Sequence, residues 1–192
     1  MPRSAPPWES IVGLPVRHAG RVHSAQLDHN GHLTVTEYFT LLTAATTSAC
    51  GDFGLSLWYP VERGMGLFGV DHHARYLHEL RLGDSYGAYV RLLGATDMGV
   101  HTMAYLLDMT RRRVTATLET VLLNVDLESR RACSFAPDTK ELLYDGLLRS
   151  GALNWESTVC GSMGLPGRSL GSGAVQSSSG RRHRGESSDE RC

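Results

Sequence analysis

Apolar and polar positions change their period along the chain, and each change marks an element. From Tyr38 onward, Leu41, Leu42, Ala45, Ala49 and Cys50 recur at the three- and four-residue spacing of one helical face. Ala44 to Ala49 are all small and uncharged, so this helix is expected to be largely buried. Thr34-Val35-Thr36-Glu37 ahead of it fits a capping box, and Asp52 and Gly54 close it. After Gly66 the period falls to two. Phe68, Val70, His72, Ala74, Tyr76 and His78 lie on one face, and Leu67, Gly69, Asp71, His73, Arg75 and Leu77 on the other, which predicts one long strand. Further strands are predicted over 86–92, 100–109 and 114–127, separated by Gly83-Asp84, Ala95-Thr96-Asp97 and the polar run Thr110-Arg111-Arg112-Arg113. The alternation slips near Val121-Leu122-Leu123, which suggests a bulge. Residues 20–27 read as a strand entering the turn-prone run Asp28-His29-Asn30-Gly31, and Pro137-Asp138 starts a last helix through Leu147.

A strand, a long buried helix and four consecutive antiparallel strands describe an α+β domain, a single curved antiparallel sheet wrapped around the helix. The domain is expected over 12–153. Residues 1–11, with Pro2, Pro6 and Pro7, read as a flexible leader, and 154–192, dominated from Gly161 by Gly, Ser and Arg, as a disordered tail. Nineteen Lys+Arg against 20 Asp+Glu give a net charge of -1, no field for holding a polyanion, so no nucleic-acid partner is expected. No run approaches the roughly 18 apolar residues of a bilayer crossing. No apolar stretch follows Arg3 as a secretory signal would require, so a cytoplasmic location is expected. Cys50, Cys133, Cys160 and Cys192 are far apart and form no C-x-x-C pair, which favours reduced thiols over a disulfide framework or zinc knuckle.

Three patterns invite a function and fail on context. His72, His73 and His78 with Asp71 and Glu79 suggest a metal cluster, but neighbours on a strand point to opposite faces and no three share a ligand geometry. No metal is expected. Gly64 to Gly69 matches G-x-G-x-x-G but precedes a strand rather than a helix. Gly167 to Gly171 matches G-x-S-x-G but falls in the low-complexity segment.

The run Asp28-His29-Asn30-Gly31-His32-Leu33, with Tyr38 in the following helix, resembles the D-x-N-G-H-(L/M)-x-V-x-x-Y motif of hot-dog fold acyl-CoA thioesterases of the 4-hydroxybenzoyl-CoA thioesterase type. Phe68 to Asp71, Tyr76-Leu77-His78-Glu79-Leu80, Gly83-Asp84, Thr117-Leu118-Glu119 and Asn124-Val125-Asp126 before Arg130-Arg131 agree with it. The resemblance spans about 15–150 and looks closest to the branch acting on betainyl-CoA or dehydrocarnitinyl-CoA. Where the family commonly has Asn after the His-Leu pair this chain has Thr34, which caps a helix about as well.

The resemblance implies hydrolysis of a small acyl-CoA to free acid and CoA, with no cofactor. Such chemistry needs a carboxylate as nucleophile or general base and donors for the oxyanion. Asp28 offers the first, and the helix N-terminus near Val35 the second. Asn30 and His32 are secondary candidates; equally, Asp28 and Asn30 are residues that build turns. For substrate binding the candidates are Tyr38, Trp58 and Tyr59 as pocket aromatics, Asp71 as a pocket residue, and Arg75 and Arg91 for the CoA phosphates. The uncovered sheet edges and outer face imply a homodimer or homotetramer. A non-catalytic acyl-CoA-binding protein and a hydratase or dehydratase of the same fold are the alternatives.

Overall fold

The structure, a computed structural model, describes residues 5–171. Five strands, β1 (Val16–Arg21), β2 (Met65–Tyr76), β3 (Ser85–Ala95), β4 (Gly99–Asp108) and β5 (Arg113–Asp126), form one antiparallel sheet in the spatial order β1-β3-β4-β5-β2. Short turns make β3, β4 and β5 a meander. The fourth predicted partner behaves differently: β2 does not pair with β3, its neighbour in sequence, but with β5 at the far edge. Residues 77–84 therefore cross the sheet end instead of forming a hairpin.

Helix α1 spans Trp8–Ile11, α2 Val35–Cys50, α3 Tyr59–Arg63 and α4 Pro137–Gly151. Leu41, Leu42 and Ala45 of α2 pack on Ala88, Val90, Ala104, Leu106, Ala116 and Leu118 from the three central strands. Each such side chain, fully buried, contributes about 1.5–3 kcal/mol when large and aliphatic, and this layer fixes α2 on the inner face. Among the described residues, however, only one side of α2 is covered. Val35 and Phe39 are exposed, as are Thr40, Ala44, Thr47 and Ser48, so the expected burial holds for the sheet-facing stripe. Beyond Cys50 a single 3-10 turn runs to Phe53, and Gly54 ends it at φ 76°, a conformation glycine adopts without penalty.

Two local expectations shift. The first strand begins at Val16 rather than Gly20, because an edge strand with five of its six residues exposed has no apolar alternation to read. The irregularity near Val121 belongs to the partner strand: Gly69 and Asp71 pair with Leu122 and Val121, leaving Val70 as the extra residue in β2. In β5 both faces are mostly buried, so its apolar parity carries little information.

The terminal segments depart further from expectation. Ile11, placed in the leader, is 0% exposed and packs with Trp8 against Tyr89, Met103, Tyr105 and Leu107 on the outer face. Residues 154–171, assigned to the disordered tail, cross the same face. Trp155 and Val159 join this cluster, the Tyr105 hydroxyl donates to Ser157 Oγ at 2.8 Å, and Leu165 reaches Gly94 and Gly99. The Asp97 N–H donates to the Arg168 carbonyl at 2.9 Å, and Leu170 N–H to that of Ala95 at 3.1 Å. The composition misleads because a few apolar residues among the glycines and serines suffice to dock a segment on a prepared surface. Residues 1–4 and 172–192 lie outside the description. No described helix is long and apolar enough to cross a membrane.

Candidate active site

Residues 27–33 fold into a tight loop closed by backbone bonds. Asp28 N–H donates to the His32 carbonyl at 2.8 Å, Gly31 N–H to that of Asp28 at 3.1 Å, and Leu27 bridges Leu33. Gly31 takes φ 79°, which explains glycine there. The Asp28 carboxylate sits inside this loop: its Oδ1 accepts the N–H groups of Asn30 at 2.9 Å and His32 at 3.1 Å. Among the described residues, Oδ2 has only the longer contact from Asn30 Nδ2 at 3.4 Å. One oxygen is thus anchored and the other open. The bond from the His32 N–H, opposed by some burial and aided by the Asn30 N–H, holds this carboxyl below the ordinary aspartate value of 3.8.

Helix α2 starts directly after the loop. Thr34 Oγ1 accepts the Glu37 N–H at 3.2 Å, as expected of a cap. The reciprocal half of the box is absent because the Thr34 N–H donates to the Gln26 carbonyl instead. The Glu37 carboxylate is thereby released to accept the Gln26 amide at 2.8 Å, which brings a second acid to the same end of the helix. The sequence pattern assigns Glu37 only to capping. Among the described residues, the Val35 and Thr36 N–H groups have no partner within the chain, so the helix presents two free donors and its positive end beside the Asp28 loop.

Residues 78–81 cover the loop from the other side. Leu33 N–H donates to the Leu80 carbonyl, and His32 bridges Arg81. His32 Nε2 lies 2.7 Å from Glu79 Oε2, and Arg81 pairs with the other Glu79 oxygen. Arg111 and Arg113 join Glu79 and Arg81 around one surface depression. Arg111 and Arg113 are among the cations the sequence offers for CoA and Glu79 among its possible pocket residues, but their meeting with Arg81 is not legible there, because residues 30 apart meet only through the β2-to-β3 crossing. Tyr38 lies beneath it, buried, with its hydroxyl donating to the His78 carbonyl at 3.1 Å and accepting the Leu80 N–H at 2.8 Å. Burial pushes this phenol up to about 12. Tyr38 thus ties α2 to the crossing segment.

The remaining candidates are not gathered with Asp28. A cavity of about 290 Å³ opens between the last two turns of α2, residues 55–60 and the β2 edge. Thr43, Thr47, Cys50, Leu57, His72 and Leu122 are among its walls. It lies roughly 10–20 Å along α2 from the helix N-terminus, at 1.5 Å per residue. Tyr59 lines it, but Trp58, 69% exposed, points away, so the two do not form an aromatic box within one chain. Asp71 is exposed and Arg75 half-buried, both on the outer side of β2, where Arg75 has an interaction of its own. Arg91 is fully engaged elsewhere. Its guanidinium donates to Ser150 Oγ and the Ser150 and Trp155 carbonyls and stacks 4.4 Å from the Trp155 ring, clamping α4 to the segment beyond it. Arg91 on this outer face is a structural residue, contrary to its assignment to CoA phosphates.

Residues 22–143, the Asp28 loop, α2 and the entire meander included, match the family model described as the thioesterase-like superfamily. The chain belongs to the thioesterase-like superfamily. Within that family it is similar to an L-carnitine dehydrogenase/betainyl-CoA thioesterase of Rhizobium meliloti (strain 1021), with 29% identity over 112 residues covering 58% of this chain. The match spans only 22% of that larger relative. A betainyl-CoA thioesterase of Pseudomonas aeruginosa is 28% identical over 57% of this chain and 69% of its own length. Among solved structures, a Staphylococcus aureus protein in complex with CoA superposes with a TM-score of 0.70 at 20% identity, over 80% of this chain and 97% of that one. The fold is that of the hot-dog thioesterases.

Proposed function

We propose that this chain hydrolyses a small acyl-CoA thioester, with Asp28 as nucleophile or general base and the Val35 end of α2 as oxyanion hole. The observation that carries the reading is the Asp28 carboxylate: one oxygen held by two loop N–H groups, the other open, next to a helix start with two free donors. A carboxylate so held keeps its charge and orientation, as attack on a thioester or activation of water requires. The free N–H groups stabilise the negative oxygen that forms as the carbonyl is attacked. His32, fixed by Glu79, and Asn30 shape the loop around the acid. Arg81 and Arg113 at the rim are the cations for the CoA phosphates, in place of Arg91.

Asp28 and the apolar cavity stand at opposite ends of α2, so a complete site requires a second copy. Among the described residues the β2 outer edge is unpaired, and the exposed side of α2 that leads to it carries no charge between Tyr38 and Cys50. Pairing two copies there would cover both features and set one chain's acid near the other chain's cavity. Betainyl-CoA is the first acyl group to try, on the names of the relatives.

Free-thiol release from a panel of acyl-CoAs including betainyl-CoA, by wild type and Asp28→Asn, tests the reading. Asparagine keeps an oxygen for the loop N–H groups, so the variant is expected to fold while turnover drops at least about 100-fold. Full turnover by Asp28→Asn would remove Asp28 from the chemistry. Binding of an acyl-CoA analogue without thiol release would identify a binding protein.

A further inference from the structure

Glu119 is 1% exposed on the outer face of β5, the side opposite α2. Its carboxylate is surrounded by potential metal ligands from three other segments. Oε1 lies 2.9 Å from His101 Nε2 on β4. Oε2 accepts the Cys160 N–H at 2.7 Å and is 3.9 Å from Nδ1 of His73, the residue directly opposite on β2. One donor atom each from His73, Glu119 and Cys160 lies within 4.8 Å of the other two.

We propose that His73, Glu119 and Cys160 bind a zinc ion that fastens residues 154–171 to the sheet, with His101 orienting Glu119 from behind. Zinc takes nitrogen, oxygen and sulfur ligands at about 2.0–2.3 Å in tetrahedral geometry, which sets the donors about 3.3–3.8 Å apart. The observed cluster needs to contract by only about one ångström from its widest limit to reach this. The carboxylate's charge partners, His73 and His101, are residues that are charged only when protonated, whereas a divalent ion supplies lasting compensation to a buried acid. The His101 contact on the oxygen facing away from His73 is the usual arrangement of a supporting partner behind a metal-bound carboxylate. A mixed nitrogen, oxygen and thiol set selects zinc over magnesium or calcium, which prefer oxygen alone. On binding, the Cys160 thiol loses its proton to solvent and the thiolate sulfur bonds the ion, with water completing the fourth position. Sequence spacing does not disclose the group, since its members are 18 to 87 residues apart and meet through strand pairing and the docked segment.

The test uses the full chain, stripped with a chelator and titrated with Zn²⁺ and with Co²⁺ as a spectroscopic probe. One ion per chain is expected, with cobalt giving thiolate charge-transfer absorption. Cys160→Ser should abolish that absorption, and His73→Ala and His101→Ala should each weaken binding about 10–100-fold. His73 and Cys160 are not core positions, so circular dichroism should show both variants folded, and Cys192→Ser should bind as wild type does. Zinc should also raise Tm in wild type and not in Cys160→Ser. Substoichiometric binding by wild type, or unchanged cobalt absorption in Cys160→Ser, would overturn the proposal.

Discussion

At the scale of single residues, hydrogen bonding decides the behaviour of the two groups nearest the chemistry. Asp28 is held below 3.8, chiefly by the His32 N–H. Because its charged form is the favoured one in the folded loop, its contribution is complete above the unfolded value and is lost only as pH falls through the lowered one. The acid limb of a kcat/KM profile is therefore expected below pH 3.8 in rapid assays. A limb at higher pH would assign the base to another carboxylate, Glu37 being the nearest alternative at this helix end. Tyr38 makes the opposite point. Its place in the motif suggested substrate contact, yet its hydroxyl serves the His78 carbonyl and Leu80 N–H. Tyr38→Phe leaves a buried N–H at Leu80 without an acceptor and is expected to cost about 1–3 kcal/mol in urea denaturation. That Asp28 turns the chain was legible, because Asp-x-Asn-Gly has few other uses. Which of its oxygens stays open was not, since that depends on where the two loop N–H groups point.

At the scale of elements, the helices show what periodicity reads and what it overlooks. The core-facing stripe of α2 was readable from its spacing, and its Thr34 cap from the residue type. The role of Glu37 was not, because Gln26 satisfies the backbone donor that a capping box would use. In α4, Gly146 marks a close approach: a Cβ there would press on the Phe53 ring and meet Leu92 Cδ2 at 3.2 Å. Alanine would gain about 1 kcal/mol of helix propensity, but overpacking costs about 1–3 kcal/mol. Gly146→Ala is expected to lower Tm, and adding Phe53→Leu to restore part of the loss. A rise in Tm from Gly146→Ala alone would show that Phe53 can move aside at little cost.

At the scale of the whole molecule, the inner face is covered by α2 and the outer face by both ends of the described chain. Trp8 and Ile11 come from one side, Trp155 and Val159 from the other, and Arg91 clamps the second strap through Trp155 and Ser150. Truncation after residue 153 removes the Ser157 bond to Tyr105 and bares Met103 and Tyr105. The truncated chain is expected to melt at lower temperature and to bind more of a hydrophobic dye than the full chain does. Equal melting temperatures would mean that the strap adds nothing to stability. Zinc titration of both forms separates packing from metal binding, since only the full chain carries Cys160.

The sequence by itself determined the α+β class, the long helix, the alternating strands and the Asp28 loop, because these rest on local spacing and on residue types with strong turn or capping preferences. Tertiary structure decided what depends on partners distant along the chain. It placed β2 beside β5, assembled the Glu79, Arg81, Arg111 and Arg113 rim, and drew Glu119, His73, His101 and Cys160 together. It also turned residues 154–171, the first part of the expected disordered tail, into a strap, because a sparse set of apolar residues gains burial only where a sheet face already exists to receive them.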